Sequence, residues 1–414
     1  MKSMHPFHAR LALKTFNLSL CTVALFSLTN PVLANDNDFN QQLKNALEKS
    51  QVSAHFRYRL EHVEQDNALQ DGLASTLRSR ITLNTGPVSG FSALLQVDNV
   101  SRLGGDTYNS TVNGQTRYSV IADPTGSDFN QALIRYQNNH GTTFNAGRQL
   151  VNQLNQRFLG GVAWRQNEQT LDGYRLQQQL PANVSVDLGH YYNVNRVFGP
   201  KGPQADQQGS FNTALLQWQW QQGQQVSGFI YDFDFDHWSA RSSLTQGLHY
   251  QGQFAALPAL QLQASVAVQQ DAHTAPIDYR HHYHRLQAQY KFTAFALAIG
   301  QERLAGDGVT AFQTPLATLH AFQGFADLFL TTPNQGLRDN HIQLSLPVHA
   351  ANLSLAWHRF SADAGSDKYG SELNVTASYK LAGKLDTMLK LARYQADSFG
   401  VDTNKVWLML SYQL

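Results

Sequence analysis

The nine residues 406–414 constrain the fold more than any other stretch. Val406, Leu408, Leu410, Tyr412 and Leu414 occupy alternate positions, so a strand here carries one apolar face up to its last residue. Chain ends ordinarily fray in water. A terminal strand of this kind is at home only if that face meets lipid and its edges are paired, as when the last strand of a barrel closes on the first.

The opposite end agrees. Lys2, Arg10 and Lys14 precede an apolar run from Leu18 to Leu28, no acid occurs before Asp36, and Val32-Leu33-Ala34 ends on a small residue. Residues 1–34 therefore read as a secretory signal peptide whose apolar run is too short to span a bilayer. The single cysteine, Cys21, falls within it. The exported chain would then rely on burial and hydrogen bonding with no disulfide.

After the signal no stretch of about 20 apolar residues occurs, which excludes transmembrane helices. The 42% hydrophobic content is dispersed between Gly and Pro residues, as alternating strands require. Charge is nearly balanced, with 31 Lys+Arg against 30 Asp+Glu, and three of the bases lie in the signal. Nucleic acid is not an expected partner. Gln is abundant, as in Gln217, Gln219 and Gln221, and suits a wet lumen.

Residues 35–50 predict a short amphipathic helix, with Phe39, Leu43, Ala46 and Leu47 on one face, read as a periplasmic lead-in. From residue 51 to 414 alternation takes over. In Phe56-Arg57-Tyr58-Arg59-Leu60-Glu61 the apolar residues are even and the charges odd. Leu77, Ile81 and Leu83 oppose Arg78 and Arg80, while Leu95 and Val97 oppose Gln96 and Asp98. Short turns near 86–90, 138–141, 181–183, 222–225, 255–259, 293, 348–351 and 382–384 alternate with long polar connections near 63–74, 101–128, 150–163, 195–209, 236–240, 271–277, 304–337, 362–367 and 396–402. The expected fold is all-β: a transmembrane antiparallel up-and-down β-barrel of about 18 strands, with short periplasmic turns and long extracellular loops, in the outer membrane of a Gram-negative bacterium. Such a barrel is too wide for side chains to fill, so it encloses an aqueous channel unless loops fold inward.

Arg57, Arg59, Arg78, Arg80 and Arg135 lie on the polar parity of their strands, and Arg148, Arg157, Arg165 and Arg175 surround the 150–163 loop. Guanidinium groups avoid lipid and point inward. They form either a cationic ladder for anionic solutes or a set of wall braces paired with Glu61, Asp98, Glu168 and Asp172. Asp232, Asp234 and Asp236 share one strand face and would bind cations or meet lumenal arginines. His281 points away from His282 and His284, and the Gly306-Asp307-Gly308 and Asp363–Asp367 loops lack a full calcium-loop spacing. No metal site, cofactor or catalytic constellation is expected, and the chain is read as non-enzymatic.

Two runs carry a resemblance. Gly147-Arg148-Gln149, Asn155 to Gly160 and Trp164 to Gly173 form the first, and Gly306 to Asp327 the second. Together with Phe56 to Glu61 they resemble the alginate-export outer-membrane family over nearly the whole mature chain. The resemblance implies a monomeric eighteen-stranded channel with an electropositive constriction, lined by Arg148, Arg165, Glu168 and Asp172, for an anionic polysaccharide. The terminal strand is similar to the signal read by the outer-membrane assembly machinery. The expected function is passive passage of hydrophilic, anionic solutes through a porin-type channel. The alternatives are a nutrient-uptake porin for small sugars or organic anions, a receptor or adhesin barrel, and a barrel-embedded hydrolase. Outer-membrane lipid and a saccharide or small solute are the expected partners.

Overall fold

The alternating runs form eighteen antiparallel strands. The computed structural model describes residues 36–414 except 382–383; the signal segment 1–34 lies outside the described residues. The strands are β1 (Gln51–Gln65), β2 (Gly72–Asn84), β3 (Phe91–Arg102), β4 (Gly126–Gln137), β5 (Thr142–Gln149), β6 (Thr170–Leu180), β7 (Val184–Asn195), β8 (Asp206–Gln221) and β9 (Gln224–Phe235). They continue as β10 (Ser243–Phe254), β11 (Leu257–Asp271), β12 (Arg280–Lys291), β13 (Ala296–Leu304), β14 (Leu337–Val348), β15 (Ala351–Ser361), β16 (Lys368–Leu381), β17 (Leu385–Ala396) and β18 (Thr403–Gln413). Each pairs with its sequence neighbours. β18 pairs with β1 from His55–Gln413 to Gln65–Thr403, which closes the sheet and removes its edges.

Short and long connections alternate as expected, and two of the long ones dominate the interior: residues 150–169 between β5 and β6, and 305–336 between β13 and β14. At the short-turn end, helix α1 (Asp36–Glu48) seats on the turn before β3. Gly86 donates its N–H to Ala46 O at 3.2 Å, and Gln42 Oε1 accepts from Ser89 N at 3.1 Å. A Cβ on Gly86 would lie 2.6 Å from Ala46 O, so only glycine admits this approach.

The outward face is apolar from strand to strand. Ile81, Ile134, Ile230, Leu248, Leu286 and Ile299 are all exposed. Near the short-turn rim the pairs Phe91–Tyr136, Trp220–Tyr250 and Tyr290–Phe292 form an aromatic girdle. An apolar band with an interfacial girdle on a closed sheet is the outer surface of a membrane barrel. No described helix is long and apolar enough to cross a bilayer.

The packed core lies inside the cylinder. Phe158 and Leu159 from the first inward loop, and Phe312 and Leu316 from the second, pack with Tyr191, Phe211, Phe229, Tyr231, Tyr283 and Phe360 from the wall. This corrects the reading of β9. Phe229, Tyr231, Phe233 and Phe235 face inward, so Asp232 and Asp234 face outward near the long-loop rim, where His273 Nε2 lies 2.6 Å from Asp232 Oδ1. The aromatic face wins the lumen because the inward loops offer it an apolar partner.

Candidate functional site

The two inward loops meet across the barrel. Leu159 and Leu316 form a parallel bridge, Gly160 N donates to Leu316 O at 3.0 Å, and Thr318 N donates to Gln156 O at 3.0 Å. Gln169 Nε2 adds a bond to Leu316 O at 2.9 Å. Leu154, Gln156 and Val162 hold positive φ, so the first loop is bent at three non-glycine positions that packing must enforce.

The arginine wall fastens this loop. Even residues of β2 and odd residues of β1 face the lumen, which brings Arg57, Arg59, Arg78 and Arg80 together. Arg57 donates to Ala163 O at 2.8 Å, to Gln166 Oε1 at 3.2 Å and to Arg165 O. Arg59 is fully buried, pairs with Glu61 at 2.6 Å and Asp123 at 3.3 Å, and lies 4.1 Å from the Trp164 ring centre. Glu168 accepts from Arg78 at 3.2 Å, Arg80 at 2.9 Å and Asn130 at 2.8 Å. Arg80 also forks onto Asp98 at 2.6 and 2.7 Å. Arg165 reaches Glu61 at 3.2 Å and Asp327 of the second loop at 3.3 Å.

Glu168 and Arg165 of the first inward loop have displaced pKa values. Burial alone would raise that of Glu168, but Arg80 and Arg78 outweigh it and hold the carboxyl below its ordinary range. Burial alone would lower that of Arg165, but Glu61, Asp123 and Asp327 prevail and raise it.

Arg148 and Asp172 are placed otherwise. They pair directly at 2.8 Å and stand on the strand face of Phe144 and Tyr174, the exposed apolar face, not on the lumenal one. Alternation sets both on the outward parity of β5 and β6, yet the Arg148 guanidinium reaches Asp128 Oδ1 at 3.5 Å, and Asp128 is the cross-strand partner of lumenal Asp98. Arg148 borders, with Asp98, Asn130 and Glu168, a cavity of about 330 Å³ where the eight-residue β5 ends and the loop turns inward. Arg196 borders the same cavity, and burial pushes its guanidinium down to about 10.

On the short-turn side of the loops the lumen carries arginines of a different kind. Arg135 donates to Asn145 Oδ1 at 3.0 Å, and Arg285 to Gln263 Oε1 at 3.1 Å and Gln287 Oε1 at 2.5 Å. Among the described residues their hydrogen-bond partners are amides, not carboxylates, and the two strands stand eight positions apart around the barrel. Arg285 borders a second cavity of about 150 Å³ beneath residues 321–325.

Several members were not legible beforehand. Asp123 comes from the 103–125 connection, Trp164 stacks on His320 at 3.3 Å between ring centres, and Asp339, His341 and His358 cluster on β14 and β15. Only the Asp339-x-His341 spacing was a local signal; the rest depend on register and loop path. His281 faces inward to Thr310 Oγ1 at 2.8 Å, opposite to His282 and His284. Asp363 pairs with Arg303 and with Arg338 at 2.8 Å, and Asp307 Oδ1 accepts from Val309 and Thr310 N–H at 2.8 and 2.7 Å.

No protein-family model matches the sequence, and no curated protein matches it. Solved structures do. OccAB4 of Acinetobacter baumannii is 13% identical with a TM-score of 0.69, covering 88% of this chain and 98% of that one. OccK9 (OpdG) of Pseudomonas aeruginosa is 14% identical with a TM-score of 0.69, covering 89% and 99%. OpdK of the same organism, solved with vanillate, is 14% identical with a TM-score of 0.68, covering 89% and 99%. These neighbours overturn the resemblance to the alginate-export family. The runs that suggested it lie largely in the two inward loops, whose Gly, Gln and Arg residues serve bends and lumenal pairing in a barrel of this shape. The fold is that of the eighteen-stranded bacterial outer-membrane porins.

Proposed function

We propose that this barrel is an outer-membrane channel for passive uptake of small hydrophilic anions, with organic carboxylates as the substrate class. The observation that carries the reading is the pair Arg135 and Arg285. Both face the lumen from nearly opposite walls and donate to amide oxygens; Glu302, which stands across from Arg285 on β13, is engaged by Arg157, Tyr283 and Gln323, so both guanidinium charges are available to a passing solute. The arginines of β1 and β2 differ: Arg59, Arg78 and Arg80 have their charge met by Glu61, Asp123, Glu168 and Asp98, and Arg57 is saturated by loop carbonyls. They brace the constriction and leave attraction to the arginines below it.

Loop depth argues for small solutes. Residues 150–169 and 305–336 cross the lumen and join each other, which suits a molecule of the size of the vanillate bound to OpdK better than a polymer. Arg165 and Glu168 belong to the framework of the constriction in this reading, and transport involves no covalent chemistry.

Reversal-potential measurement in planar bilayers tests it. Each such charge a few ångströms from the solute path contributes about 1 kcal/mol, so Arg135→Ala and Arg285→Ala should each lower the anion-to-cation permeability ratio roughly fivefold. Liposome swelling should be faster with a small aromatic carboxylate than with an acidic oligosaccharide. A cation-selective wild type, or two variants with unchanged selectivity, would remove the proposal.

A further inference from the structure

We propose that Asp339, His341 and His358 form a lumenal binding site for a divalent transition-metal ion of the Zn²⁺, Cu²⁺ and Ni²⁺ class. The site stands apart from the arginine wall and does not depend on the channel's substrate. Asp339 and His341 are two residues apart on β14 and share its lumenal face. His358 is the direct cross-strand partner of His341 on β15. Residues at i and i+2 plus one opposite define a triangle on a sheet, held by the rigid wall.

The distances match a coordination shell. His358 Nδ1 lies 3.0 Å from both Asp339 oxygens, His341 Nδ1 lies 3.6 Å from Asp339 Oδ2, and one donor atom from each of the three falls within 4.8 Å of the others. Ligands around tetrahedral zinc stand roughly 3.3 Å apart, as metal–nitrogen bonds of about 2.0–2.1 Å require. Two imidazoles and one carboxylate suit borderline metals, and the remaining positions face the cavity of about 150 Å³, where water or a solute carboxylate completes the shell.

Two features around His341 point to a cation. Its Nε2 lies 3.5 Å from Gln287 Oε1, the same oxygen that accepts from Arg285, a placement that favours the tautomer with its proton on Nε2. Nδ1 then turns a lone pair toward the Asp339 carboxylate, and it is buried with no hydrogen-bond partner. A lone pair facing an anion is stable when a cation lies between them. The second feature is Gly300, the cross-strand partner of His341 on β13. The His341 ring lies over it, where a Cβ would collide with Nε2, so glycine leaves the space the imidazole needs. Gln287 orients the ring from outside the donor set, as second partners of metal-bound histidines do.

Titration of the detergent-folded barrel with ZnCl₂ alone, followed by calorimetry and by equilibrium dialysis, tests the site. One Zn²⁺ should bind per barrel. His341→Ala and His358→Ala should each weaken binding at least roughly tenfold, and Gly300→Ala should do the same by displacing the ring with every donor retained. His282→Ala, on the outward face, should bind as the wild type does. Heat-modifiable gel migration reports whether each variant is folded. If a variant does not fold, Cu²⁺ electron paramagnetic resonance of the wild type gives the answer: coupling to two imidazole nitrogens supports the site, and its absence overturns it. No saturable Zn²⁺ binding by the wild type, or equal affinity in both histidine variants, overturns the proposal and leaves the His341–Asp339 contact to a proton.

Discussion

Glu168→Ala should release the first inward loop from the arginine wall. Glu168 is the shared acceptor of Arg78, Arg80 and Asn130, and its carboxylate is almost wholly buried. Removing one partner of a buried pair costs about 3–5 kcal/mol, because the other charge is left without compensation. Arg80 keeps its fork to Asp98, so the loss falls mainly on Arg78, whose other side-chain contact is His55 Nδ1 at 3.3 Å. The lower end, about 3 kcal/mol, is therefore the appropriate figure, and it raises the detached population of the 166–170 segment roughly a hundredfold. Arg57 still holds Ala163 O, and Gly160 N still donates to Leu316 O, so the rest of the loop stays docked. Hydrogen exchange should accelerate by about that factor at the amides of Gln166, which donates to Asp123, and of Gln169, which donates to Gly161. Single-channel recordings should show larger or noisier conductance. The pH dependence has a definite sign. Since the Glu168 pKa is lowered in the folded chain, its contribution is complete above the ordinary glutamic acid value of about 4.3 and is lost as pH falls through the lower folded value. Wild-type conductance should stay flat from pH 7 to about 4.3 and change below it, a transition the alanine variant lacks. Unchanged exchange at Gln166 and Gln169, with wild-type conductance at every pH, would refute the latch.

Phe158→Ala should loosen the loop from its apolar side. The ring touches Phe229, Tyr231, Tyr283 and Phe312, and its loss should cost about 3–5 kcal/mol of docking, read as increased proteolysis within 150–169 in an otherwise folded barrel. Leu248→Arg places a charge on the lipid face at mid-strand of β10, where the leucine is 55% exposed, and should destabilise the barrel by about 2–4 kcal/mol in urea titrations in lipid vesicles. An equal loss from the outward His282→Arg, near the long-loop rim, would contradict the membrane placement.

Alternation is local, and it alone settled most of the wall. A period of two fixes which face each side chain takes, and lipid demands one apolar face from every spanning strand, so the eighteen strands, their sided connections, the closing β18 and the lumenal direction of Arg57, Arg59, Arg78 and Arg80 follow from residue order. Parity fails where a strand leaves the lipid or meets an inward loop. In β9 the aromatic face turned inward, because Phe158 packs against Phe229 and Tyr231. Arg148 and Asp172 pair across β5 and β6 on the outward parity, and only the early end of β5 lets Arg148 reach Asp128. The path of the loops was decided only in three dimensions. Glu168 is 90 residues from Arg78, Gln169 is 147 from Leu316 and Arg157 is 145 from Glu302, and no local pattern encodes such meetings. The same holds for His341 and His358, which become neighbours because β14 and β15 pair in one register and no other. The sequence by itself determined the cylinder, because bilayer chemistry acts on each strand separately. Tertiary packing decided what obstructs and charges its interior, because those contacts exist only once distant segments share the enclosed space.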